Sequence, residues 1–192
     1  MSPGPLMVDV DGVLAEFVYG FRSLANKMWQ VPVYLTPNQQ TWAFDDLTAA
    51  QESAVWEAIR SSETFWQDLG ALCPVKAWRR IAALCSSRDV YFVTSRIGPT
   101  AKRQTQLWLT RHGIKDPTVI VVGPKRKGLA AKLLQPSASI EDNAENATAI
   151  STDNPATVSY LLDRPYNRRL GPDGLDVVRI HDIGEFLDAV EA

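Results

Sequence analysis

The 192-residue chain is 45% hydrophobic and 22% charged, the balance of an ordinary globular protein able to bury a sizeable core. Its formal net charge of −2 offers no overall attraction to nucleic acid or an anionic membrane, and no stretch approaches the roughly 20 apolar residues that span a bilayer. The N-terminal "MSPGPLMVDVDG" has no basic region and its apolar run is soon broken by aspartates, so it does not read as a signal peptide. Cys73 and Cys85 sit in no metal-ligand spacing and are expected to be reduced packing thiols, which suggests a cytoplasmic protein acting on a small substrate.

In chain order, "PLMVD" (5–9) reads as the first strand. Residues 16–74 then break the strand–helix rhythm with two helical patterns, "FVYGFRSLANKMW" and "LTAAQESAVWEAIR". A polar, Pro-containing connector carrying Tyr34 and Trp42 joins them. This insertion holds more than half of the aromatic residues of the chain, a density that a small subdomain needs to form any core. From 75 onward helix and strand alternate. Helical patterns at 75–87, 100–113, 127–135 and 144–152 separate the apolar runs "DVYFVT" (89–94), "TVIVVG" (118–123), "ASIED" (138–142), "TVSYLLD" (157–163) and "DVVRI" (176–180). Continuous rather than alternating apolarity suits strands buried on both faces, and the alternation predicts an α/β fold with an open parallel sheet flanked by helices. Residues 1–15 and 75–192 form the expected core, with 16–74 inserted after the first strand.

In such a sheet ligands bind beyond the carboxyl ends of the strands. The first strand delivers Asp9 and Asp11 there, the second Thr94, Ser95 and Arg96, the fourth Glu141 and Asp142. Lys127 heads the helix before the fourth strand. Carboxylates brought together repel unless a divalent cation keeps them ionised, and Mg²⁺ suits an oxygen-only set. Metal, carboxylate nucleophile, hydroxyl and ammonium together describe phosphoryl transfer. Each motif also has a plain structural reading: Asp-x-Asp-Gly is a turn signal, "VTSR" can cap a helix, and "EDN" can be a turn. Their order and joint placement favour chemistry. "GPKRKG" lacks the residues of a P-loop after its second glycine, and Lys125 and Arg126 read as a solvated basic turn. His112 and His181 are expected at a helix end and past a late strand, away from the crevice, while Trp78 and Trp108 fall on apolar helical faces and are expected in the core.

With these residues in place, the sequence resembles the haloacid dehalogenase superfamily of phosphatases, whose four motifs are met in order by "DVDGV", "VTS", Lys127 and "IEDN". The resemblance implies a Rossmann-like core with an inserted helical cap. It implies that Asp9 attacks phosphorus, that Asp11 serves as acid and base, and that Thr94 and Lys127 hold the phosphoryl oxygens. It further implies Mg²⁺ held by the Asp9 carboxylate, the Asp11 carbonyl and Asp142, with Glu141 acting through water. Within the superfamily the chain is similar to the 5'(3')-deoxyribonucleotidase branch in "DVDGVLAEF", "ETFWQDLGALCPVKAW" and "LLDRPYNR". That similarity adds Ser95 to the phosphate site and places Phe17, Phe65 and Trp66 at the base of a nucleotide. Two departures stand out: motif four is Glu-Asp rather than Asp-Asp, and Arg96 follows "TS" with no assigned partner. The implied activity is Mg²⁺-dependent hydrolysis of (deoxy)ribonucleoside monophosphates; a sugar phosphate or other small phosphorylated metabolite is the alternative substrate. The implied partners are small molecules, with neither a nucleic-acid polymer nor a membrane, and a homodimer is left open.

Overall fold

The computed structural model describes residues 4–30, 44, 46–168 and 177–192; Tyr34 and Trp42 lie outside the described residues, with the rest of 31–43. Six strands, β1 (Leu6–Val8), β2 (Val90–Thr94), β3 (Thr118–Val121), β4 (Ala138–Glu141), β5 (Val158–Leu162) and β6 (Val177–Ile180), form one sheet in the order β3-β2-β1-β4-β5-β6. Every pairing is parallel. Strands β1 and β4 occupy the centre and are buried at every residue, whereas the edge strands β3 and β6 alternate toward exposure. This is why the central runs read as continuously apolar. The strand order reverses between β1 and β4, and a crevice opens at their carboxyl ends.

The helices are α1 (Phe17–Trp29), α2 (Ala49–Ser61), α3 (Val75–Ser87), α4 (Ala101–Arg111), α5 (Lys127–Leu134), α6 (Ala144–Asp153) and α7 (Ile183–Glu191). Short 3-10 turns cover Phe65–Gln67 and Pro165–Asn167. The sequence reading left α7 and both 3-10 turns unassigned. No helix among the described residues is long and apolar enough to cross a membrane.

Helices α1 and α2 and the Phe65–Gln67 turn lie between β1 and α3. Ala15 on the way out bridges antiparallel to Ala71 on the way back, so the two passages run side by side. Helix α2 begins in a reciprocal capping box, with Thr48 accepting from the Gln51 amide and the Gln51 side chain accepting from Thr48. Phe21 stacks on Phe44 with ring centres 3.9 Å apart and meets Trp56 of α2 at 5.1 Å, which joins the two helices.

The returning passage is stitched to α4 by buried polar side chains. The Gln104 amide donates to the Ser62 carbonyl at 2.7 Å while its oxygen accepts from the Trp66 amide at 2.8 Å. The Trp108 indole N–H donates to the Leu69 carbonyl at 2.7 Å. Trp108 and Trp78 are both buried and pack edge to face at 5.3 Å, as expected of core residues. Replacing Trp108 removes core volume and also orphans the Leu69 carbonyl. Trp108→Ala is therefore expected to cost about 3–5 kcal/mol, read as a lower urea midpoint at unchanged slope.

Candidate active site

The Asp9 amide continues the β1 ladder by donating to the Ile140 carbonyl of β4, which puts Asp9 at the carboxyl end of the central pair. Three residues on, the chain turns through Gly12 at φ +79°, a conformation that disfavours a Cβ. A Cβ there would lie 1.8 Å from Asp142 Oδ2, so glycine is what lets the first loop close over the Asp142 carboxylate. Asp9, Glu141 and Asp142 are buried, with one oxygen from each lying within 4.8 Å of the others.

Lys127, the first residue of α5, enters this cluster. Its Nζ is 2.6 Å from Asp9 Oδ1 and donates to both Glu141 oxygens at 2.8 and 2.9 Å. Burial alone would lower the Lys127 pKa, but the charges and hydrogen bonds of Asp9 and Glu141 outweigh it and hold the ammonium above its usual range. For the carboxyls burial wins. It raises Glu141, with the Asp9 charge adding and Lys127 opposing, and it pushes Asp142 from its ordinary 3.8 up to about 8, again with Asp9 adding. The Tyr166 hydroxyl donates to Asp142 Oδ2, and the Asn167 amide bridges the carbonyls of Asp142 and Leu162 at 2.8 Å each. Lys127 and Arg96 pair with Asp9, Glu141 and Asp11, but no ion pair reaches Asp142 among the described residues. A close set of oxygen donors with uncompensated negative charge suits a hard divalent cation.

Asp11 is held on the other side. Thr94, buried at the end of β2, donates its hydroxyl to Asp11 Oδ2 at 3.0 Å, and the Arg96 guanidinium grips both Asp11 oxygens at 2.9–3.2 Å. Asp9, Asp11, Thr94, Ser95, Lys127 and Asp142 share the wall of one cavity of about 200 Å³. Facing them are Phe17, Trp56 and Trp66. Phe17 packs on Trp56 at 5.5 Å and on Trp66 at 5.8 Å, each ring inclined 22° to it.

Of the residues expected from sequence, Glu141 is fully buried and absent from the cavity wall, where Lys127 claims its carboxylate. Phe65 also stays off the wall and packs edge-on against Trp66 at 4.9 Å. His112 stacks on Trp78 at 4.5 Å, burial lowers its pKa, and His181 is exposed; neither lines the cavity. Lys125 and Arg126 are exposed. Both cysteines are free and half-buried, and burial pushes their thiols up to about 12 and about 11. The sequence reading gave no role to Trp56, Asn143 and Asn146 on the wall, nor to Arg164, Tyr166 and Asn167 beneath it. The last three belong to "DRPYNR", whose turn-forming composition was the available signal.

The sheet order and the carboxylate-lined crevice give the chain a haloacid dehalogenase-like fold. Solved structures with this fold include a haloacid dehalogenase-like hydrolase from Streptococcus pneumoniae (TM-score 0.64, 16% identity, covering 98% of each chain). A HAD family hydrolase from Deinococcus radiodurans, solved with bound phosphate and sodium, matches at TM-score 0.62 and 14% identity over 100% of this chain and 97% of that one. The L-2-haloacid dehalogenase of Xanthobacter autotrophicus matches at 0.60 and 11% identity over 99% of each. A comparison with curated proteins returns no significant match. The sequence model of one family, "5' nucleotidase, deoxy (Pyrimidine), cytosolic type C protein", matches residues 4–189, and the chain belongs to that family.

Two outcomes follow from the packed carboxylates. Gly12→Ala forces a left-handed residue, itself roughly 1–2 kcal/mol, and displaces Asp142; a lowered melting temperature and loss of any stabilisation by added divalent cation are expected together. Asp142 and Glu141 have folded-state pKa values above their unfolded ones, so between pH 3.8 and about 8 the metal-free folded protein binds more protons than the unfolded chain. Its stability should fall as pH rises through that window, while the Lys127 contribution, from a raised pKa, stays constant there. Melting curves should show an added divalent cation stabilising the protein more at pH 8 than at pH 5, and equal shifts at both would contradict a carboxylate cation site.

Proposed function

We propose that the protein is a Mg²⁺-dependent phosphatase that hydrolyses (deoxy)ribonucleoside monophosphates to nucleoside and phosphate. The observation that carries this reading is one cavity with Asp9 fixed by Lys127 at 2.6 Å on one wall and the Trp56–Phe17–Trp66 stack on the other. A phosphate and an aromatic base need those two surfaces at once. The family description, naming a 5' nucleotidase of cytosolic type, supports both the substrate class and a cytoplasmic location.

An Asp9 oxygen attacks phosphorus as the ester P–O bond breaks, and Asp11 gives its proton to the departing oxygen, which leaves as the nucleoside hydroxyl. Asp11, now a carboxylate, takes a proton from water as that water attacks phosphorus; the bond to Asp9 breaks, and phosphate leaves with both aspartates restored. Thr94, Ser95 and Lys127 bind the phosphoryl oxygens, which requires Thr94 and Lys127 to shift hydrogen bonds from Asp11 and Asp9 onto substrate. Asp9, the Asp11 carbonyl and Asp142 would hold Mg²⁺, which would supply charge neutralisation for the transferred group, and Glu141 would join through water only if Lys127 released one of its oxygens. Residues 16–74 act as a cap whose aromatics bind the base and keep water from the acyl-phosphate, over a core of 1–15 and 75–192. Trp66 and Phe17 stack on the base, with Trp56 completing the wall and Phe65 buttressing Trp66.

Phosphate release across nucleoside 5'- and 3'-monophosphates and sugar phosphates tests this reading. Nucleotides should be preferred, and Asp9→Asn should lower kcat by about a thousandfold or more. Preference for sugar phosphates by orders of magnitude would refute the nucleotidase assignment. Trp56→Ala should raise KM for nucleotides by about 5–100-fold, the worth of one stacking surface, and leave KM for a small aryl-free phosphate ester nearly unchanged.

A further inference from the structure

Arg96 is the only buried arginine among the described residues, and each of its three nitrogens has a partner. Nε lies 3.2 and 3.0 Å from the two Asp11 oxygens, and Nη2 lies 2.9 Å from Oδ1. Nη1 donates to Thr105 Oγ1 at 3.0 Å and reaches the Trp66 carbonyl at 3.4 Å. The guanidinium carbon sits 4.9 Å from the Trp66 ring centre and 5.8 Å from that of Trp108. These supports are themselves fixed: Thr105 donates to the Ala101 carbonyl at 2.7 Å, and the Trp66 indole donates to the Ile97 carbonyl at 2.9 Å.

The guanidinium is thus immobilised from three sides without help from Asp11. Asp11, beside a positive-φ glycine and 17% exposed at its side chain, is the more accessible partner. A planar fork that meets both carboxylate oxygens sets the plane as well as the position of the carboxylate, which a point charge cannot do. Two of its three nitrogens are committed to Asp11 and the third to Thr105 and Trp66.

We infer that Arg96 is the positioning residue for Asp11: it aims the carboxyl at the oxygen that leaves phosphorus and ties that aim to the Trp66 segment of the substrate wall. This assignment rests on the reading of Asp11 as the acid and base of phosphoester hydrolysis. Its signature is dependence on the leaving group, because an ester of a poorly acidic nucleoside hydroxyl needs proton donation and an activated aryl phosphate hardly does.

The test compares kcat/KM, which reports steps through departure of the alcohol, for a nucleoside 5'-monophosphate and for p-nitrophenyl phosphate, with Mg²⁺ present. Arg96→Met keeps an apolar stem against the indoles; it should lower the nucleotide value by about a hundredfold or more and the aryl value by less than about tenfold. Arg96→Lys retains the charge without the fork and should lie between Arg96→Met and wild type, which keeps the test open if Arg96→Met folds poorly. In an Asp11→Asn background, Arg96→Met should cause no further loss, since both changes remove one function. Equal losses on both esters in both variants, or losses that multiply with that of Asp11→Asn, overturn the assignment and leave Arg96 a structural or phosphate-binding group. An inactive wild type overturns the phosphatase reading, whereas an Asp11→Asn enzyme with full activity overturns only Asp11 as its acid and base; either result takes this inference with it.

Discussion

The constraint on which the rest of the site depends is the burial of three carboxylates where β1 and β4 lie side by side. Their oxygens fall within 4.8 Å, and desolvation and mutual repulsion both oppose keeping them charged. The surrounding structure answers that cost locally. Lys127 satisfies two of the three, although a lysine at the first turn of a helix opposes the helix dipole and is favoured there only by an anion in reach. Gly12 removes the side chain that would collide with the third.

The loop after β5 completes the same task from below. The Tyr166 hydroxyl meets the Asp142 carboxylate, Asn167 ties the Asp142 carbonyl to the end of β5, and Arg164 donates to the Gly12 carbonyl at 2.8 Å. These three contacts fasten the first and fourth motifs to one another through the backbone. They leave one face of Asp142 to the cavity, where a cation would complete its coordination.

Most of the core was legible because a parallel sheet buried on both faces imposes a simple pattern: β1, β2, β4 and β5 are short apolar runs that end on polar residues, and those ends are the site. Helix α7 was legible in principle, since Ile183, Phe186, Leu187 and Val190 recur at helical spacing behind Asp182, whose carboxylate caps the Gly184 and Glu185 amides. Other features depended on tertiary placement. Glu141 and Asp142 are adjacent in sequence, yet one is sealed beneath Lys127 and the other faces the cavity, because adjacent residues at a strand end point to opposite sides. Trp56 and Phe65 both belong to the aromatic insertion, and only the packing of α2 against α1 brings Trp56 to the wall. Arg96 could be noticed as a departure from a motif, but its partners come from three separate stretches of chain: Asp11, Trp66, and Thr105 with Trp108 on α4.

That aromatic wall and the charged cluster are neighbours for a physical reason. Phe17, Trp56 and Trp66 exclude water on one side of the cavity, and charges facing a poorly hydrated wall interact more strongly than they would in bulk solvent. Such a wall would ordinarily penalise a cation buried behind it. A guanidinium is weakly hydrated and flat, so it can lie against the Trp66 and Trp108 rings while its edge pairs with Asp11. Lysine, with a compact and strongly hydrated charge, fits the oxygen-rich cluster of Asp9 and Glu141 instead. The two buried cations are therefore different residues because their surroundings differ, one aromatic and one carboxylate-rich, and each holds one aspartate of the Asp9–Asp11 pair.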